Sequence, residues 1–129
     1  MEKQQWQKFR DELLHLHKAL LHFQQRQYEG THGKVASPQV LLGLVMENPD
    51  FAWLRQISEL IVSIDELMES KEPVSPQKYA DLLTYCKKLL QPKADGNTFE
   101  KNYYHAIHQE PGVAIQHAKT QKKLLEISG

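Results

Sequence analysis

The chain has 129 residues, and its 16 lysines and arginines balance 16 aspartates and glutamates, so the formal net charge is zero. This length suits one domain, residues 1–129, with its own core, and the balanced charge supplies no global field for nucleic acid or an anionic membrane. With one cysteine, no apolar signal core and apolar runs far shorter than the roughly 20 residues of a membrane span, we expect a cytoplasmic protein that binds neither nucleic acid nor membranes.

The first predicted element is a long helix over residues 2–28, a stretch without proline or glycine. Its large apolar residues recur at alternating steps of three and four, the spacing of one buried seam. The seam consists of Trp6, Phe9, Leu13, Leu16, Leu20 and Phe23. Such a helix would be roughly 40 Å long, more than a small domain needs. We therefore expect a homodimer or a protein partner to pack on it through Trp6, Phe9 and Leu13.

A glycine-containing loop and a short helix follow. The glycines predict the loop over residues 30–34, and Ser37 with Pro38 forms a cap-plus-proline start. The helix from Pro38 to Glu47 is apolar almost all round. Gly43 inside it costs about 1 kcal/mol relative to alanine, and a close helix crossing would explain its presence.

The central helix has the clearest start in the chain. Asn48 can cap it, Pro49 fits the first turn and Asp50 complements the helix dipole. We expect it to stop near Ser70. Its apolar residues follow the three-four spacing of one buried stripe. They occupy positions 54, 57, 60, 61, 64, 67 and 68.

Three further helices complete the chain. They run from Ser75-Pro76 to about Gln91, from Asn97 to about Gln109 and from Pro111 to about Ile127. Asn97 with Glu100 three residues later is a capping box. Because no credible strand is present, the predicted fold is all-α: a compact bundle of five to six helices with a long N-terminal helix.

Seven histidines are the one compositional feature with chemical meaning, since histidine binds metals and moves protons near neutral pH. Five fall on polar helix faces or in the glycine loop. These are His15, His22, His32, His105 and His108. His17, by contrast, lies within the apolar arc of the first helix, with Arg10 and Gln24 seven residues to either side. His117 lies among apolar residues of the last helix.

A candidate polar cluster follows from this placement. Ser58 and Asp65 are also seven residues apart and flank the stripe of the central helix. The candidate members are Arg10, His17, Ser58, Asp65 and His117. They could be satisfied polar groups that fix helix register, a ligand or catalytic site, or residues that never meet. Cys86 is centred on its apolar stripe, which predicts a core residue and not a nucleophile.

The central run also carries a family resemblance. The pattern Pro49-x-Phe51-x-Trp53-Leu54-Arg55, then Ser58-x-Leu60-Ile61 and Ile64-Asp65, resembles a small family of uncharacterised bacterial proteins. The segments Ser37-Pro38, Pro111-x-Val113 and His117-Ala118 are similar too. The resemblance implies a bacterial, cytoplasmic, all-helical protein, and it implies no reaction, cofactor or catalytic residue.

Two functions stay open at this point. The favoured hypothesis is a non-enzymatic domain that works by association, because no recognisable catalytic set and no cofactor or metal motif is present. The alternative is a small-ligand- or metal-binding bundle with hydrolytic or redox chemistry at His17, Asp65 and His117. The first hypothesis predicts that the apolar face of the first helix is open to a partner, so a monomer that buries Trp6 and Phe9 within its own chain would count strongly against it. The second predicts a pocket lined by His17, Asp65 and His117.

Overall fold

A computed structural model describes residues 2–128, and over this range the protein has six α-helices, one 3-10 helix and no strand. The elements are α1 Glu2–His32, α2 Pro38–Glu47, the 3-10 helix Pro49–Leu54, α3 Arg55–Glu69, α4 Pro76–Leu89, α5 Thr98–Gln109 and α6 Pro111–Ser128. The prediction of an all-α bundle with a long first helix is confirmed. No helix of the described range is both long enough and apolar enough to cross a membrane.

Polar residues start three of the helices as predicted. Ser37 and Ser75 each accept a hydrogen bond from the backbone amide three residues later. Asn97 and Glu100 form both bonds of the predicted capping box. Each cap satisfies an amide that the first turn of a helix leaves without an intrahelical partner.

Two boundaries differ from the prediction. α1 continues through Gly30 to His32, because Gly33, at φ +84°, is the residue that adopts the left-handed conformation typical of a helix end. The central segment begins as the 3-10 helix and becomes α-helical only at Arg55. Asn48 still caps this segment, since its side chain accepts a bond from the second amide that follows it.

The core is built around α1, and α6 runs antiparallel beside it. Gln5 near the start of α1 donates to the carbonyl of Glu126 near the end of α6, at 3.2 Å. Gln116 donates to the carbonyl of Glu12 at the same distance. The whole α1 seam is buried, together with residues from every later element except α2. These include Phe51, Trp53, Leu54, Ile57, Leu60, Ile64, Cys86, Leu90, Phe99, Tyr103, Val113 and Leu124.

Candidate functional site

The apolar seam of α1 faces the protein's own core. Phe9 and Leu13 are completely buried and Trp6 is 2% exposed. The Trp6 ring lies 6.3 Å from that of Tyr79, so α4 of the same chain covers the first turns of α1. The surface expected to meet a partner at these three residues is therefore already occupied within the monomer.

Arg10 and Asp65 form a two-point ion pair between α1 and α3. Arg10 Nη2 donates to Asp65 Oδ2 at 3.0 Å, and Nε donates to the second carboxylate oxygen. The hydrogen bond to Asp65 is the main cause that raises the pKa of Arg10 above its ordinary value. The guanidinium stays charged, and the two groups satisfy each other's hydrogen bonds.

His17 makes the second contact between the same two helices. Its Nε2 lies 2.9 Å from Ser58 Oγ. Burial lowers the pKa of His17, which favours the neutral imidazole. Ser58 and Asp65 are separated by two helical turns, about 10 Å along α3. The two pairs are therefore too far apart to bind one metal ion together.

Gln24 makes a third contact in the same direction. The indole Nε1 of Trp53 donates to its Oε1 at 2.9 Å. Gln24 stands in the same column of α1 as Arg10 and His17, but the spacing alone does not reveal that its partner is a tryptophan. We call these three contacts the polar ladder: Arg10–Asp65, His17–Ser58 and Gln24–Trp53. As the residue number increases along α1, the number of the bonded residue on the facing segment decreases. This is the pattern expected when the two segments pack antiparallel in one register.

His117 belongs to a different place in the bundle. Its Nδ1 is hydrogen-bonded to the hydroxyl of Tyr103 on α5, and the two rings meet edge to face at 5.2 Å. Burial lowers the pKa of His117 and raises that of Tyr103. No hydrogen bond within residues 2–128 joins His117 to the other four predicted cluster members. The five residues thus form two pairs and one separate contact.

Residues 2–128 contain neither a cluster of metal-binding side chains nor a reactive thiol. Over residues 2–128, no three histidine, cysteine, aspartate or glutamate side chains converge as a metal ion would require. Cys86 is completely buried, and burial raises the pKa of its thiol to about 12. The prediction that Cys86 is a core residue is confirmed, since a protonated buried thiol is a poor nucleophile near neutral pH.

α2 presents a large apolar surface to solvent. None of the ten residues described for this helix is buried. Its inner side, formed by Leu41, Leu44 and Val45, packs only partly against the core. The rest of the helix surface is formed by exposed residues, which we call the α2 outer face. They are Gln39, Val40, Leu42, Gly43, Met46 and Glu47. Leu42 is 59% exposed and Met46 62%.

The α2 helix is nevertheless held at both ends. Ser37 caps its first turn. At its last turn, Arg55 donates to the carbonyl of Met46, and the amide of Asn48 donates to the carbonyl of Leu44 at 2.9 Å. The outer face is therefore displayed by a helix that is capped at its start and bonded to Arg55 of α3 at its end.

Gly43 has no packing role within the chain. A Cβ atom added there would meet nothing within 4 Å, so the close crossing expected from the sequence does not occur inside the monomer. Its backbone is ordinary helix, because the one positive φ among residues 2–128 is that of Gly33. Gly43 therefore lowers helix stability by about 1 kcal/mol relative to alanine without a compensating contact in this chain.

Comparison of the chain with protein-family models, curated proteins and solved structures finds no match. The resemblance of the central run to a bacterial family stays a prediction.

Proposed function

We propose that the protein is a non-enzymatic association domain that binds a second copy of itself through the α2 outer face. The observation that supports this is α2 itself: an apolar helix, capped at its start and bonded to α3 at its last turn, without a buried residue. Contiguous exposed apolar surface on a soluble domain typically marks an interaction site. The bacterial cytoplasm is the proposed setting, and it rests on the resemblance of the central run.

The contacts of the polar residues support a structural role for four of the five cluster members. Each of the four cluster members between α1 and α3 has a specific partner on the facing helix. Side chains that satisfy one another across a helix contact hold its register. The alternative, a ligand or metal site at His17, Asp65 and His117, is less well supported, because the surface cavity that touches Asp65 is lined by neither histidine.

A second copy suits the chemistry of the α2 outer face. Glu47 is the only charged residue of α2 and lies at its end, so the centre of the face meets itself without like-charge repulsion. Full burial of a leucine or methionine side chain contributes about 1.5–3 kcal/mol. However, α2 is only about 15 Å long, which limits the contact area. We therefore expect a weak dimer that forms with rising concentration.

The test is the mass of the protein in solution at increasing concentration, measured by sedimentation equilibrium. We expect the wild-type chain to rise from 15.0 kDa toward twice that mass. The double variant Leu42→Glu/Met46→Glu should stay at 15.0 kDa, because it places carboxylates where apolar groups would be buried together.

Ile115→Glu is the matched control, since Ile115 is 60% exposed but lies on α6. This variant should associate like the wild type, and circular dichroism should show all three proteins equally helical. A wild-type chain that remains monomeric at every concentration contradicts the proposal. Equal loss of association in the Ile115 variant would also contradict it.

A further inference from the structure

We infer that a cleft between α1 and the start of α6 binds a small organic phosphate ester. The cleft has a volume of about 320 Å³, at the lower end of the range of small-molecule sites. Its lining combines basic and apolar groups, namely His15, Lys18, Ala19, His22, Arg26, Glu110, Gly112 and Val113. The inference concerns α1 and α6 and is independent of self-association through α2.

Three exposed basic residues form one wall of the cleft. Lys18, His22 and Arg26 follow one another at steps of four residues, so they lie on one face of α1. His22 stands about 6 Å along the helix axis from each of the other two. The long side chains of lysine and arginine can reach that level. An anion beside His22 can therefore be contacted by all three side chains.

The cleft keeps a positive charge that the protein itself does not use. None of the ion pairs formed within residues 2–128 includes Lys18. Arg26 pairs with Glu110 through Nη2, which donates to both carboxylate oxygens. This contact offsets the charge of Glu110 and leaves the N–H groups of Nε and Nη1 for a ligand. The charge of Lys18 is thus available to an anion.

The surrounding charges favour one position for that anion. Glu12 lies beside His15, with 3.4 Å between its Oε1 and the imidazole Nδ1, so negative charge is already present at that end of the cleft. Gly112, which also lines the cleft, is the second residue of α6. The first turn of a helix carries the positive end of its dipole. An anionic group is therefore favoured beside His22 and not beside His15.

The lining indicates a phosphate ester with an apolar body. A phosphate group presents three strong acceptor oxygens, one for each of the three basic side chains, whereas a carboxylate presents two. Ala19 and Val113 give the cleft an apolar floor, and Val113 is 2% exposed. An apolar group attached to the phosphate would cover this floor, and removing that surface from water adds to the affinity.

Isothermal titration calorimetry with phenyl phosphate tests the inference. We expect saturable binding of one molecule per chain. Benzoate, which pairs the same ring with a carboxylate, and inorganic phosphate, which lacks the ring, should each bind more weakly. Absence of saturable binding of phenyl phosphate would overturn the inference. Equal affinity for benzoate would overturn the assignment to phosphate.

Lys18→Gln removes the available charge and should weaken the binding of phenyl phosphate roughly tenfold. Lys8→Gln is the matched control, because Lys8 is also exposed on α1 but is not among the described residues that line the cleft. It should bind like the wild type, and circular dichroism should show all three proteins equally helical. Equal weakening in both variants would reduce the effect to overall charge and would contradict a site in the cleft.

Vesicles distinguish a free phosphate ester from a lipid headgroup with the same chemistry. The protein is sedimented with phosphatidylcholine vesicles that contain phosphatidic acid. Cosedimentation that Lys18→Gln weakens assigns a lipid headgroup to the cleft. Binding of phenyl phosphate without cosedimentation assigns a soluble ester.

Discussion

The buried indole nitrogen of Trp53 requires a hydrogen-bond acceptor, which a residue far away in the sequence supplies. Trp53 is 6% exposed, and its indole N–H can only donate a hydrogen bond. Gln24, 29 residues earlier, supplies the acceptor at 2.9 Å. Every buried side-chain nitrogen or oxygen described between residues 2 and 128 has a hydrogen-bond partner. For the indole nitrogen of Trp53, that partner is Gln24.

We expect Gln24→Leu to lower the free energy of unfolding by about 1–3 kcal/mol, because the buried indole N–H would lose its acceptor. Urea denaturation of the variant and the wild type measures the difference. In a Trp53→Phe background, which has no N–H at this position, the same change at Gln24 should cost clearly less. Equal costs in both backgrounds would show that the hydrogen bond is not the cause.

The caps at Ser37 and Ser75 were predictable because donor and acceptor lie three residues apart in the chain. The placement of His17 and Ser58 toward the core was predictable from helical periodicity. Their pairing with each other was not, because periodicity says which face of a helix a residue occupies and not which residue stands across from it.

At the scale of elements, two half-buried histidines each join a pair of helices. His17 connects α1 to α3 through Ser58, and His117 connects α6 to α5 through Tyr103. Burial lowers the pKa of both imidazoles from 6.5. The folded protein therefore binds fewer protons than the unfolded chain at mildly acidic pH, so protonation favours unfolding.

We accordingly expect the free energy of unfolding to be highest above pH 6.5 and to fall as the pH drops from there toward the lowered pKa values of the folded state. Urea denaturation at a series of pH values measures this slope. The double variant His17→Gln/His117→Gln should show a flatter dependence in the same window. A slope unchanged by the double substitution would assign the effect to other groups.

Helix boundaries were predictable to the extent that their signals are local. The proline-marked starts of α2, α4 and α6 agree with the structure, because proline and the preceding cap act within one turn. The end of α1 was placed too early, since Gly30 and Gly33 look alike in the sequence. Only Gly33 adopts a positive φ, at the point where the chain leaves α1 and turns toward α2.

At the scale of the whole molecule, one face of α1 is covered from Trp6 to Tyr28, a length of about 33 Å. Trp6 near its start lies against Tyr79 of α4, and Tyr28 near its end lies 5.9 Å from Phe51. The apolar seam correctly predicted that one face of α1 is buried. It could not show that the burying surface belongs to the same chain, because a three-four spacing looks identical inside a monomer and across an interface.

The antiparallel contact of α1 with α6 predicts that the order of the helices can be changed. We expect a circular permutant to fold when a short glycine-serine linker joins residue 128 to residue 2 and the chain opens within residues 71–73, which are exposed. Circular dichroism and cooperative urea unfolding measure the outcome. A permutant opened between Leu16 and His17 should fail to fold, because it divides the buried seam. Failure of the first permutant would contradict the prediction.

The hydrogen bond between Gln5 and Glu126 also shows which helix ends lie together, so two poles of the molecule can be distinguished. The start of α1 and the end of α6 lie at one pole, whereas α2 follows the far end of α1. Proteins fused before α1 and after α6 would both leave from the pole opposite the α2 outer face. In the proposed dimer, proteins fused to either end of the chain would therefore leave on the side away from the contact.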